Sequence, residues 1–68
     1  MKADDWIASF AAKLNTAPPS EEVTAELLEL AATAAHNSER IAAPIACYLV
    51  GLTGASLEDA RAAAEKIR

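Results

Sequence analysis

The densest group of polar side chains away from the predicted helix starts lies at residues 36–40. It brings together a titratable ring, a hydroxyl, a carboxylate and a guanidinium. One hypothesis is a site for a small anionic or nucleotide-like ligand. In such a site His36 and Arg40 would receive the anionic group, while Ser38 and the free amides of a helix start would complete its hydrogen bonds.

A helix junction is the alternative interpretation of the same residues. Asn37 or Ser38 would cap the third helix, and His36 would close the end of the second. Glu39 and Arg40 would then pair with a neighbouring helix. Capping and junction pairing are the commoner uses of these residue types, so the structural interpretation is favoured, and both stay open.

Neither a catalytic group nor a metal centre is predicted. Ser38 and His36 have the residue types of a nucleophile and its base, but a spacing of two residues puts them on different sides of a continuous helix. Zinc takes three or four ligands, and the single cysteine, Cys47, is more than two helical turns from the single histidine. There is no Gly-rich nucleotide-binding segment either. We therefore expect a protein that is not an enzyme and has no cofactor.

Side chains of the first and third helices form a second candidate, a protein interface. The three aromatic residues can build a core or anchor a partner, because aromatic rings dominate both settings. Glycine within a helix is less favourable than alanine by roughly 1 kcal/mol, so Gly51 indicates a close neighbouring helix or an early helix end. Cys47 is interpreted as a small buried hydrophobe. The candidate interface comprises Trp6, Phe10, Cys47, Tyr48, Val50 and Gly51.

Length and composition limit what these residues can build. The chain has 68 residues, and 18 of its 36 apolar residues are alanine. A domain of about 60 residues buries only roughly 60% of the surface that its unfolded chain exposes. An alanine-rich core reduces that burial further, which excludes a multidomain enzyme with an interior active site. Residues 1–68 are predicted to form a single helical domain.

The charge distribution and the cysteine content exclude other classes. The net charge is −4, and residues 1–35 hold six acidic and two basic side chains. Without a clustered basic surface, nucleic acid binding is not expected. A lone cysteine excludes a disulfide scaffold. Because the start of the sequence has no signal-peptide pattern and no stretch reaches about 20 apolar residues, we expect a cytoplasmic protein that does not enter membranes.

Helical spacing of apolar residues predicts the first two elements, and no strand pattern is present. The first helix is predicted over residues 4–14, and the prolines Pro18 and Pro19 exclude its continuation. The second is predicted from residue 21 to about residue 36. Ser20 is its expected N-cap, and Glu21 and Glu22 suit the positive end of the helix dipole.

Two further helices follow. Pro44 must lie in or near the first turn of the third helix, or else kink a longer helix that starts near Ser38. A start within residues 39–44 is favoured. It has no charge and is apolar on every side, so we expect it to be the central helix or part of a subunit interface. Gly54 is its expected end. Ser56 resembles the start of a capping box and opens a fourth helix over about residues 57–67.

These residues resemble a small actinobacterial family of helical domains of unknown function, over nearly the whole chain. The resemblance rests on Trp6-Ile7 with Leu14, Pro18-Pro19-Ser20, Ala35-His36-x-Ser38-Glu39-Arg40-x-x-Ala43-Pro44 and Gly51-x-x-Gly54. It implies a domain found alone or appended to molybdenum cofactor guanylyltransferase-like proteins. It also implies an accessory module with a loose connection to molybdenum cofactor biosynthesis.

The predicted protein is thus an all-α, compact four-helix domain with short connections and helix 3 at its centre. The leading functional hypothesis is a noncatalytic interaction or accessory module. A homo-oligomer, with a dimer favoured, and a protein partner are the expected assemblies, since a chain of this length has few large side chains to cover its apolar surface.

Overall fold

The computed structural model describes residues 1–67 and contains four α-helices. They are α1 (Ala3–Lys13), α2 (Glu21–Asn37), α3 (Ala42–Thr53) and α4 (Leu57–Glu65). No strand occurs among these residues. The radius of gyration is 12.5 Å, close to the roughly 11 Å of a globular chain of this length and far below the roughly 25 Å of an unfolded one. The prediction of a compact, all-α, four-helix fold with short connections is confirmed.

Serine side chains cap two of the helices. The Ser20 hydroxyl accepts a hydrogen bond from the Val23 amide at 3.2 Å, at the start of α2. Ser56 does the same for the Asp59 amide at 3.1 Å, at the start of α4. Each hydroxyl satisfies a backbone donor that has no partner within its helix. Both predicted caps are confirmed.

The end of α3 is also set by local chemistry. Gly54 has the left-handed conformation, with φ of 72°, and its amide donates to the Val50 carbonyl. The Thr53 hydroxyl donates to the Leu49 carbonyl at 2.9 Å and accepts from the Ala55 amide at 3.4 Å. Gly54 is therefore the stop that the sequence predicts, because a side chain there would be strained.

The third helix does not hold the central position that its apolar sequence predicts. Instead, α2 packs against both α3 and α4, and α1 contacts the rest of the chain more weakly. An exposed ion pair between Arg61 Nη2 and Glu29 Oε2, 2.9 Å long, also joins α4 to α2. As the longest helix, α2 spans both neighbours, and its Leu30 lies where α3 and α4 meet it. Small or medium side chains of α3, such as Ala42 and Ala46, pack against α2, whereas its large side chains stay exposed, so α3 is covered on one side only.

The core is very small. Among the described residues only Ala11 of α1 and Leu30 of α2 are buried. Leu30 is therefore the one large apolar side chain, within residues 1–67, that is removed almost fully from water. It lies where α2 meets α3 and α4. Most large apolar side chains are elsewhere, at the surface.

Candidate functional site

The segment 36–40 is an exposed connection between α2 and α3. His36 lies in the last turn of α2, and Ser38 is the C-cap of that helix, with its amide donating to the Ala34 carbonyl at 3.1 Å. Glu39 and Arg40 form the turn that leads into α3, and their carbonyls accept from the first amides of that helix. All five side chains of the segment are exposed.

The structure separates the two interpretations of this segment only in part. The idea that Asn37 or Ser38 caps the third helix is wrong, because α3 starts after Ile41 and has no side-chain cap. His36 does close α2, as the junction interpretation requires. Within residues 1–67 no hydrogen bond or ion pair joins the side chains of His36, Ser38, Glu39 and Arg40. The ligand hypothesis stays a prediction.

The two sides of α3 differ in the size of their side chains. Small or medium residues, including Ala42, Ala46 and Val50, are half-buried, and they lie on the side of the helix that packs against α2. The larger residues are exposed and face solvent. They recur at spacings of four, three and four residues, which places them in one stripe along the helix. This α3 stripe consists of Ile41, Ile45, Tyr48 and Leu52, and Leu49 lies beside it.

A second exposed apolar stripe runs along α1. Trp6, Phe10 and Leu14 are spaced by four residues, and the Trp6 and Phe10 rings stack with centroids 5.0 Å apart and planes 24° apart. Trp6 is 56% exposed and Phe10 49% exposed. Ala11 is buried, and Ile7 borders a groove of about 420 Å³ between α1 and the first half of α2. The rings therefore stabilise each other without being covered by the rest of the chain.

The two stripes coincide with an unusually large solvent-accessible surface. The chain exposes 5572 Å². Folded monomers of 7.1 kDa expose about 4,100 Å² by the usual scaling with mass, so about 1,500 Å² more is exposed than expected. Contiguous apolar stripes that are exposed on a folded chain mark interaction sites in soluble proteins. The arrangement can thus bind another apolar surface.

The predicted interface residues fall into three groups. Trp6, Phe10 and Tyr48 are exposed and lie in the stripes, as interface anchors must. Cys47 and Val50 are half-buried, and Val50 lines an apolar depression within the chain together with α2 and α4 residues. Gly51 is exposed, and a Cβ atom built on it would meet no atom within 4 Å.

Several exposed apolar residues are missing from the predicted interface. They are Leu14, Leu28, Ile41, Ile45, Leu49 and Leu52. The spacing from Ile41 to Leu52 is a sequence signal for the α3 stripe, but spacing alone does not say which side of an apolar helix is covered. That side is decided by packing against α2.

An apolar groove of about 310 Å³ lies between α2, α3 and α4. Leu30, Ala34, Leu49 and Ala64 are among its lining residues. At one end the Asn37 side-chain amide donates to the Ile67 carbonyl at 3.4 Å, which ties the end of α2 to the chain after α4. The groove is open to solvent and offers mainly apolar contact.

No helix within residues 1–67 combines the length and the apolar character needed to cross a bilayer. In the same part of the chain, no group of three or more His, Cys, Asp or Glu side chains is placed to hold a metal ion.

A family model described as a domain of unknown function (DUF6457) matches residues 1–68. The chain belongs to this family. The DUF6457 match extends over both apolar stripes and the 36–40 segment, and it confirms the family part of the resemblance. Actinobacterial origin and association with guanylyltransferase-like proteins stay predictions. No curated protein and no solved structure matches the chain.

Proposed function

We propose that this chain is a noncatalytic interaction module that self-associates and acts as an accessory to a protein partner. The observation that carries the proposal is the exposure of large apolar side chains along α1 and α3 in the folded chain. Apolar stripes left in water favour association, because covering them releases hydration water. A dimer is the favoured assembly.

Exposure of the polar residues supports the noncatalytic part. His36, Ser38 and Arg40 are exposed on a connecting segment. General acid and base groups act most effectively where water is excluded and the reacting groups are held in a fixed geometry. The proposed location is the cytoplasm, as the single free thiol and the sequence composition suggest.

The family resemblance suggests the class of partner. We include a link to molybdenum cofactor biosynthesis, in which the partner is a guanylyltransferase-like protein. Genomic neighbourhood and a reciprocal pull-down from the native cell test this link. We expect each protein to recover the other in the pull-down. We expect this recovery to be lost when Trp6 is replaced by Ser. If no transferase is recovered, the link is contradicted, whereas the proposal of self-association is unaffected.

Sedimentation velocity tests the self-association. We expect the weight-average sedimentation coefficient to rise through the micromolar range, as a monomer gives way to a dimer. A strictly monomeric species over that range contradicts this part of the proposal. Such a result would leave a different protein as the occupant of the apolar stripes.

A small-anion site at His36, Ser38 and Arg40 is the second candidate. One observation favours it, since the first turn of α3 contains no acidic residue that would repel an anion near the exposed His36 and Arg40. Titration with inorganic phosphate and a nucleoside diphosphate, followed by NMR, is the test. Shifts at the segment 36–40 that disappear in Arg40→Ala support the site. Equal responses of wild type and Arg40→Ala contradict it.

A further inference from the structure

We propose that the outward side of α3 is the surface on which two copies of this chain pair, with their α3 helices meeting beside Gly51. The inference rests on the proposed function, because it assumes that the chain self-associates. It goes further by assigning the self-association to one helix and by naming the second copy as the occupant of the α3 stripe.

The α3 stripe has the form of a helix-packing surface. Ile41, Ile45, Tyr48 and Leu52 occupy one side of the helix over about three turns. Tyr48 is 64% exposed and Leu52 66% exposed. Side chains at this spacing form a ridge that packs into the groove of a facing helix. Ile45 borders the groove between α2, α3 and α4, but all four side chains are exposed. Among residues 1–67, the half-buried residues of α3 lie on its other side, which packs against α2.

Gly51 is the second, independent observation. It lies within the helix, next to the stripe, where glycine is a poor helix former. Nothing in the folded chain requires it, because a Cβ atom there would meet no atom within 4 Å. A glycine beside an apolar ridge lets the backbone of another helix approach closely. In the monomer no helix approaches Gly51 closely, and in the dimer the α3 helix of the second copy does so.

The exposed area fits a dimer. The surface in excess of that of an ordinary monomer is about 1,500 Å², and a standard protein interface covers about 800 Å² on each partner. Covering the α3 stripe and its surroundings with a second copy would therefore remove a large part of the excess. The remainder is enough to leave the α1 stripe free for a different protein.

Charge favours a second copy over other occupants. Residues 42–53 of α3 contain no charged side chain, so the stripe meets no like charge when it faces itself across a two-fold axis. A membrane-surface helix would need Lys and Arg beside its apolar side, and α3 has neither. The net charge of −4 on each copy is carried by residues outside α3, so its repulsion between two copies acts at a distance from this surface and is screened by salt.

A pair of matched leucine variants tests whether the two copies pair through the α3 stripe. Leu52 lies in the α3 stripe and Leu28 lies on α2, and both are 66% exposed. In sedimentation equilibrium, Leu52→Glu is expected to raise the dimer dissociation constant by about 100-fold, since it places one carboxylate from each protomer in an apolar contact. Leu28→Glu is expected to change the constant by less than about threefold, as a surface substitution away from the contact. Equal effects of the two variants would overturn the proposal.

Substitution of the glycine gives a second readout. Gly51→Leu adds a side chain that meets nothing within the monomer, so far-UV circular dichroism should show unchanged or higher helix content. The same variant should weaken the dimer by about tenfold, because the added side chain separates the two helices. If Gly51→Leu forms a dimer of wild-type affinity, the proposal that the two α3 helices approach closely at this position is overturned.

The results also separate this inference from the proposed function. A wild-type chain that stays monomeric contradicts both. If the dimer is unaffected by Leu52→Glu but is dissociated by Trp6→Ser, only the assignment to α3 is contradicted. The two copies would then contact each other through α1. A dimer that Leu52→Glu dissociates and Trp6→Ser leaves intact supports the inference and keeps the α1 stripe available for a partner.

Discussion

At the scale of single residues, a few side chains determine where helices start and stop. Ser20 and Ser56 each accept an amide hydrogen bond at a helix start, and Gly54 ends α3 with a positive φ. Because only two of residues 1–67 are buried, such local contributions are a large share of the stability. Their loss should therefore be measurable one residue at a time.

Replacing Ser20 by Ala should lower the free energy of unfolding by about 1 kcal/mol, because the Val23 amide loses its only side-chain acceptor. Urea denaturation at fixed protein concentration measures the change. Ser9→Ala is the matched control, since Ser9 is exposed within α1 and alanine is the better helix former there. An equal loss in both variants would show that Ser20 does not act as a cap.

The two glycines should respond with opposite signs. Gly54→Ala should lower the free energy of unfolding by about 1 kcal/mol, because its φ of 72° strains any side chain. Gly51→Ala should raise it by up to about 1 kcal/mol when measured in a Leu52→Glu background that removes self-association. Thermal unfolding followed by circular dichroism gives both values. A loss of stability at Gly51 in that background would mean that the monomer itself uses the glycine.

At the scale of the elements, α2 organises the fold because it contacts both α3 and α4. Leu30 is 3% exposed and lies at the point where these contacts meet. The other side of each neighbouring helix is left in water. Stability is therefore concentrated along one side of α2, where Leu30 supplies most of the apolar burial.

Leu30→Ala should be the most damaging single truncation in the chain. Truncation of a buried leucine lowers the free energy of unfolding by about 2–5 kcal/mol, which is comparable to the whole stability of so small a domain. Loss of cooperative melting is the expected result. Leu28→Ala should have a small effect, because Leu28 is exposed. If Leu30→Ala fails to fold, Leu30→Val should give a partial loss, and a fully stable Leu30→Val would contradict the role of Leu30.

The helices themselves could be predicted from the sequence, whereas their arrangement could not. Ser20, Gly54 and Pro18 act on their immediate neighbours, so their effects follow from local sequence. The start of α3 has no capping residue, and its position within residues 39–44 stayed open for that reason. An apolar helix such as α3 is compatible with burial on any side, and only packing against α2 determines that Tyr48 faces solvent.

At the scale of the whole molecule, we expect the large apolar side chains that are exposed on α1 and α3 to make stability depend on assembly. A ligand or partner that binds only the folded state raises the apparent stability as its concentration rises. For a dimer the partner is the chain itself. The exposed ion pair between Arg61 and Glu29 contributes little by comparison, because surface pairs are worth at most about 1 kcal/mol.

The melting temperature of the wild-type chain should therefore rise with protein concentration. Differential scanning calorimetry across the micromolar range should show this rise. Leu52→Glu should melt at one temperature throughout that range, since it cannot gain stability by pairing. A melting temperature of the wild type that does not depend on concentration would contradict stabilisation by self-association.

The weak attachment of α1 has a consequence for how the molecule opens. Residues 14–20 connect α1 to α2, and the prolines Pro18 and Pro19 stiffen this connection. Because α1 contacts the other helices less than they contact one another, it can detach while α2, α3 and α4 stay folded. Native-state hydrogen exchange should then show α1 amides exchanging through a low-energy, sub-global opening, with the slowest exchange around Leu30.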